Sequence, residues 1–151
     1  MSIQDQFADL ARSCVGTPFS DCGGREKGRG LDCAGTIAWP LKQLGLPYED
    51  KKGYTLGPGT DHYFDIIAGL RKSFRKLPRK IPVKWQRGDV IVYRHRGLPG
   101  HCLIYVSEHE GRPIFVEAVV GRTVQERGMA TDWIDRLEGV RADWGIWRLK
   151  G

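Results

Sequence analysis

Gly30-Leu31-Asp32-Cys33-Ala34-Gly35 is the stretch on which the fold turns. Asp32 carries the side chain of an N-cap, and Ile37, Leu41 and Leu44 follow at helical spacing, so the sequence predicts a helix from Cys33 to Leu44, ended by Gly45 in the left-handed conformation. Pro40 conflicts with that stripe. A proline inside a helix removes one hydrogen bond and costs roughly 3 kcal/mol, which predicts a kink or an early end. A thiol in the first helical turn lies among unpaired backbone N–H groups at the positive end of the helix dipole, and both favour thiolate. Cys33 thus reads either as a reactive thiol or as a small buried apolar residue, and the second reading suits Cys14 and Cys102.

Upstream, Ile3, Phe7, Leu10 and Ala11 recur at helical spacing and predict a short first helix ending near Gly16-Thr17-Pro18. Asp21 to Gly30 has the glycine-rich, charged composition of an irregular surface segment and lacks a phosphate-loop pattern. Downstream, Pro47 to Gly59 reads as an ordered loop. Asp61 to Leu77 reads as an amphipathic helix on the spacing of Tyr63, Ile66, Ile67, Leu70, Phe74 and Leu77. From Gly88 the period shortens. Asp89 to Arg94, His101 to Ser107, Pro113 to Ala118, Arg122 to Glu126 and Gly145 to Leu149 predict an antiparallel sheet, with a hairpin turn at His109-Glu110-Gly111 and a short helix over Thr131 to Leu137. The fold class is α+β.

A chain of 151 residues is expected to form one domain, 1–151, burying about two-thirds of its unfolded surface. Neither an export signal nor an apolar run of about 20 residues is present, so the chain is expected to be made in the cytoplasm and not to span a membrane. Four cysteines without a C-x-x-C pair predict free thiols, and the absence of that pair and of H-E-x-x-H gives no metal site and no cofactor. The net charge of +6 admits nucleic acid, an anionic membrane or an acidic polymer as partner. The basic run from Arg71 to Lys80 has no groove-reading motif and reads as a solvated helix face, which argues against nucleic acid.

His101 opens a predicted strand straight after Gly97-Leu98-Pro99-Gly100, which would let its ring face a cleft at the sheet edge as a base. His62, His95 and His109 read as surface or packed residues. These segments together carry a family likeness: Gly30-Leu31-Asp32-Cys33-Ala34-Gly35 resembles the G-x-D-C-x-G motif of NlpC-type cell-wall cysteine peptidases. Gly16-Thr17-Pro18-Phe19 and Gly23-Gly24 resemble the segment before that cysteine. Arg87-Gly88-Asp89-Val90 followed by Gly100-His101-Cys102-Leu103-Ile104-Tyr105 is similar to the family's G-D block and histidine strand. Order and spacing agree over nearly the whole chain.

The resemblance implies a papain-like α+β fold in which the nucleophile helix packs on an antiparallel sheet bearing the base. It implies catalysis by Cys33 and His101 on peptidoglycan stem peptides, at the bond joining D-glutamate to a diamino acid. Asp32, besides capping its helix, would contact a substrate amine, and Phe19 stands where the family often has a tyrosine that helps hold that amine. The orienting residue, usually His, Asn or Gln, would be Glu117, since the chain contains no asparagine. A carboxylate can accept the second imidazole N–H, and the competing reading of Glu117 is an outward strand charge. Strand parity separates the two: pairs whose numbers sum to 218 or 220 put Glu117 on the His101 face, and a sum of 219 puts it on the other. The Lys51 to Arg79 insertion, with Tyr54, resembles the branch found in bacteriophage tails and gene-transfer particles, implying a virion-associated enzyme with tail-tip partners that acts at the cell wall. The rival is a structural tail component with the same fold and little catalysis.

Overall fold

The computed structural model describes residues 1–20, 23–51, 62–95 and 98–151; Cys22, Tyr54 and Asp61 lie outside them. The first helix forms as its spacing predicts: Ser2 Oγ accepts from the Asp5 N–H at 3.1 Å and caps α1 (Ile3–Ser13), which buries Phe7, Ala8 and Ala11. The glycine-rich segment expected to be irregular instead contains a small hairpin, β1 (Arg25–Glu26) and β2 (Gly30–Leu31). Arg25 explains the order, because its guanidinium ties β1 to Asp50 and to Asp32.

Next comes α2 (Gly35–Gln43), preceded by a turn at Cys33 and Ala34 rather than beginning at the cysteine. It continues past Pro40, whose side chain is buried, and the chain reverses at Gly45 with φ +69°. The long helix expected over Asp61 to Leu77 is a correction: α3 (His62–Leu70) stops at Leu70, and β3 (Phe74–Lys76) follows. Phe74 and Leu77 fit the helical period, yet the burial of Phe74 and the half-burial of Leu77 come from pairing. Phe74 lies opposite Leu149 and meets the Phe7 ring edge-on at 5.4 Å, while Leu77 N–H donates to the Ile146 carbonyl. Arg75 and Lys76 stay exposed on this sheet edge, a placement that discourages pairing with another chain.

The remaining elements are β4 (Val90–Arg94), β5 (His101–His109), β6 (Arg112–Glu117), β7 (Gln125–Gly128), α4 (Trp133–Gly139) and β8 (Asp143–Leu149). They build a six-stranded antiparallel sheet in the order β3-β8-β4-β5-β6-β7. Alternation sorts its side chains onto two faces. Val90, Val92, Cys102, Ile104 and Val116 pack under α1, α2 and α3, and Ile91, Leu103, Phe115, Trp144 and Ile146 pack with Ile134 and Leu137 of α4. Each large side chain so buried contributes roughly 1.5–3 kcal/mol. Among the described residues no helix is long and apolar enough to cross a membrane.

The G-D block proves architectural. Gly88 has φ +90°, and a Cβ there would lie 2.8 Å from the Gln4 carbonyl oxygen of α1. Asp89, fully buried, accepts from Arg148 Nε and Nη2 at 2.8 Å each and from the Gln86 N–H at 2.9 Å.

Candidate active site

Cys33 sits in the turn entering α2 with 4% of its surface exposed. The glycines of its motif make that position possible by close approach: Gly30 packs on the Ser20 side chain and Gly35 on the Gly24 carbonyl oxygen, where a Cβ would collide. Asp32 holds the turn. Its Oδ1 accepts from the Gly35 N–H at 2.7 Å and from Arg25 Nη1 at 2.6 Å, and its Oδ2 accepts from the Gly23 N–H at 3.1 Å, with the side chain closed to solvent. Asp32 therefore caps the turn that leads into α2, whose own N-cap is Ala34, and its carboxylate lies beneath the surface rather than on it. The Cys33 carbonyl is fixed by the Thr36 hydroxyl at 2.6 Å and the Cys102 thiol at 3.0 Å.

Cys33 and His101 line one groove of about 400 Å³ together with Phe19, Tyr93, Glu117 and Arg127, and Ala118 to Val120 give it an apolar wall. His101, the first residue of β5, donates from Nε2 to Glu117 Oε2 at 3.1 Å, and its ring also hydrogen-bonds the Cys33 thiol. The edge of the Tyr93 ring meets the imidazole at 5.8 Å and 84°. Glu117 ends β6 and is 1% exposed; its other oxygen accepts from Gln125 Nε2 at 3.1 Å and Arg127 Nη1 at 3.0 Å. A buried carboxylate with donors on both oxygens is satisfied, unlike an outward strand charge.

Register explains how Glu117 comes to lie there. Near the hairpin turn, His109 pairs with Arg112 and Ser107 with Ile114, sums of 221; beyond an irregularity between Tyr105 and Ser107, Tyr105 pairs with Phe115 and Ile104 with Val116, sums of 220. The bulge at Val106 changes the parity and brings Glu117 onto the His101 face. Arg87 Nε donates to the Val106 carbonyl at 2.9 Å, and the same guanidinium pairs with Asp5 and Asp9 of α1, so the bulge is held from outside the sheet.

The electrostatics follow from this packing. The Cys33 thiol is held well below its usual range, first by the neighbouring Cys102 thiol, against the effect of burial, and then by hydrogen bonds from His101 and His62 and the charge on His101. Burial works against the charged form of His101, but hydrogen bonds to Cys33 and Glu117 and the negative charges of both outweigh it, and its pKa is pushed up to about 9. Burial likewise raises Glu117, and the His101 and Gln125 hydrogen bonds with the charges of His101 and Arg127 reverse this to a net lowering. Burial, followed by the neighbouring Cys33, pushes the Cys102 thiol well above its usual range, which leaves it a neutral donor. Such an arrangement can keep a thiolate–imidazolium pair at neutral pH. Among the described residues no group of His, Cys, Asp and Glu is arranged to hold a metal ion.

Sequence reading placed Cys33, His101 and Glu117 at one site. It missed His62, read as packed or on the surface, whose Nε2 lies 3.3 Å from the Cys33 sulfur, and it missed Cys102, Tyr93, Gln125 and Arg127 as neighbours. For His62 there was no signal, because contact across 29 residues depends on how α3 docks. For Gln125 and Arg127 the signal lay in alternation along β7 opposite Glu117.

No curated protein matches the chain. Among solved structures it resembles one described as "The crystal structure of Ly7917 with the hydrolyzing product of MDP", with 14% identity and a TM-score of 0.51. The likeness covers 97% of this chain and 62% of that one, so the chain spans less than two-thirds of the neighbour's length. At that identity the likeness concerns the fold alone. The sequence itself speaks more directly, for the NlpC/P60 family model matches residues 16–142, from the turn after α1 through the whole groove and as far as Ala142; the chain belongs to the NlpC/P60 family.

Proposed function

We propose that this chain is a single-domain cysteine peptidase that hydrolyses amide bonds of peptidoglycan stem peptides, of the D-glutamyl–diamino acid type. Cys33 is the nucleophile, His101 the base and Glu117 the residue that orients the imidazole. The observation carrying this reading is the row from thiol to imidazole to buried carboxylate at the head of one groove, with 3.1 Å between His101 Nε2 and Glu117 Oε2. Family membership supports a cell-wall substrate, and the solved neighbour, crystallised with the hydrolyzing product of MDP, agrees with a hydrolytic role.

In the proposed reaction the thiolate attacks the carbonyl carbon, and the Cys33 backbone N–H with neighbouring donors holds the oxyanion. His101 gives its proton to the leaving amine, then takes one from the water that cleaves the thioester. Glu117 stays ionised throughout and stabilises the imidazolium. Phe19 lines the groove as an apolar contact for substrate. Asp32 reaches a substrate amine only if Arg25 yields its place, so its main part is to hold the nucleophile turn. The setting we infer is a bacteriophage tail or similar particle: the chain is made in the cytoplasm, carried by tail-tip proteins and delivered to the wall.

The test is to incubate the protein and its Cys33→Ala variant with peptidoglycan fragments of several wall types and identify new termini by mass spectrometry. Cleavage lost in the variant is the expected result. Absence of any Cys33-dependent product would favour a structural tail component with the same fold.

A further inference from the structure

His62 opens α3 with 1% of its surface exposed and its Nε2 3.3 Å from Cys33 Sγ. A ring nitrogen can donate to sulfur at that distance, and a neutral imidazole with its hydrogen on Nε2 has one N–H to give there. Burying a polar ring is costly, and an apolar side chain of similar volume would fill the same space more cheaply. Its position is imposed by tight backbone contact. Gly100, which precedes His101, touches Tyr63, which follows His62: a Cβ at Gly100 would lie 2.5 Å from Tyr63 Cα and 2.9 Å from Tyr63 N. Two imidazoles from two elements, pressed together next door to each ring, therefore converge on one sulfur.

We propose that His62 is a positioning residue for the nucleophile: its Nε2–H donates to the Cys33 sulfur, favouring the thiolate and holding it in one rotamer. This rests on the reading of Cys33 as the nucleophile. When the pair ionises, the thiol proton passes to His101, and His62 keeps its own proton throughout. As the sulfur bonds to the carbonyl carbon it loses its charge and the His62 bond weakens; hydrolysis of the thioester restores it. The other titratable groups around the sulfur are His101 and Cys102 on β5, Glu117 behind His101, Tyr93 on β4, Asp32 and Tyr48, and all remain in place when His62 alone is replaced.

The test reads the thiol without a substrate. The rate of iodoacetamide alkylation of Cys33, followed on its own peptide by mass spectrometry, is measured against pH for the wild type, His62→Phe and His62→Gln, with near-UV circular dichroism as the folding control. The Phe variant keeps the volume and loses the N–H, so its acid limb should rise by roughly one to two pH units, the effect of one hydrogen bond to a charged group. Gln restores a donor and should recover at least half of that shift. A Phe profile that superimposes on the wild type would overturn the proposal. Should the Phe variant not fold, the ¹⁵N shifts of His62 in the wild type decide the matter. A protonated Nε2 that moves when Cys33 is blocked by methyl methanethiosulfonate supports it, and an unprotonated Nε2 sinks it. Loss of peptidoglycan cleavage as a general property, with the alkylation shift intact, would remove the peptidase reading and leave His62 in this role.

Discussion

A thiol with so little exposure as Cys33 would ordinarily stay protonated at neutral pH, because burial disfavours its charged form. At Cys33 the Cys102 thiol, His101 and His62 reverse that balance. His101 in turn depends on Glu117, and the directions of the shifts fix the signs. His101, raised from 6.5 to about 9, adds stability in full below its unfolded value and loses it as pH rises through about 9. Glu117, lowered from 4.5, keeps its contribution above that value and loses it as pH falls through its folded one. The ion pair should exist from the depressed ionisation of Cys33 up to about pH 9, giving a bell-shaped rate profile. In Glu117→Gln the upper limb should retreat from about 9 toward 6.5 and kcat should fall by roughly 10²–10⁴. Steady-state rates across pH check both effects. An unmoved upper limb would show that Glu117 does not hold the imidazolium.

Elements decide what single residues cannot, and the β5–β6 hairpin is the clearest instance. Its turn sets one parity and its far end needs the other, and the extra residue at Val106 reconciles them. In Arg87→Met the Val106 carbonyl loses its donor and α1 loses its tie to the sheet, which should cost about 1–3 kcal/mol; urea denaturation measures this. The variant should also lose activity beyond what its stability explains, since Glu117 is placed through this bulge. The same hairpin marks the boundary of what the sequence discloses. Alternation and the Glu110-Gly111 turn made the strands legible, and left-handed φ values of 51° and 76° at those two residues fit the turn. The bulge has no such signature, so parity could only be framed as alternatives. At Phe74 and Leu77 spacing misled, because a buried and a half-buried residue three apart satisfy a helix as well as the end of an edge strand. Cys33 and His101 were visible because glycines and a capping aspartate surround them with local constraints, whereas His62 carries none.

Over the whole molecule, one buried ion pair ties the centre of the sheet to the C-terminal strand. Asp89, just before β4, is wholly enclosed and takes two hydrogen bonds from Arg148 on β8. Removing one partner leaves an uncompensated charge, so Asp89→Asn should lower stability by about 3–5 kcal/mol, read as a fall in the urea midpoint with the slope unchanged. Because the pair lies away from the groove, the protein that remains folded should keep its alkylation profile at Cys33. The contact between Gly100 and Tyr63 has a different reach. With no room for even a methyl group between them, the start of the histidine strand and the first turn of α3 must travel as one rigid piece. A peptide that wedges into the groove and displaces one imidazole therefore drags the other along with it, and the sulfur meets its two ring neighbours in step or not at all.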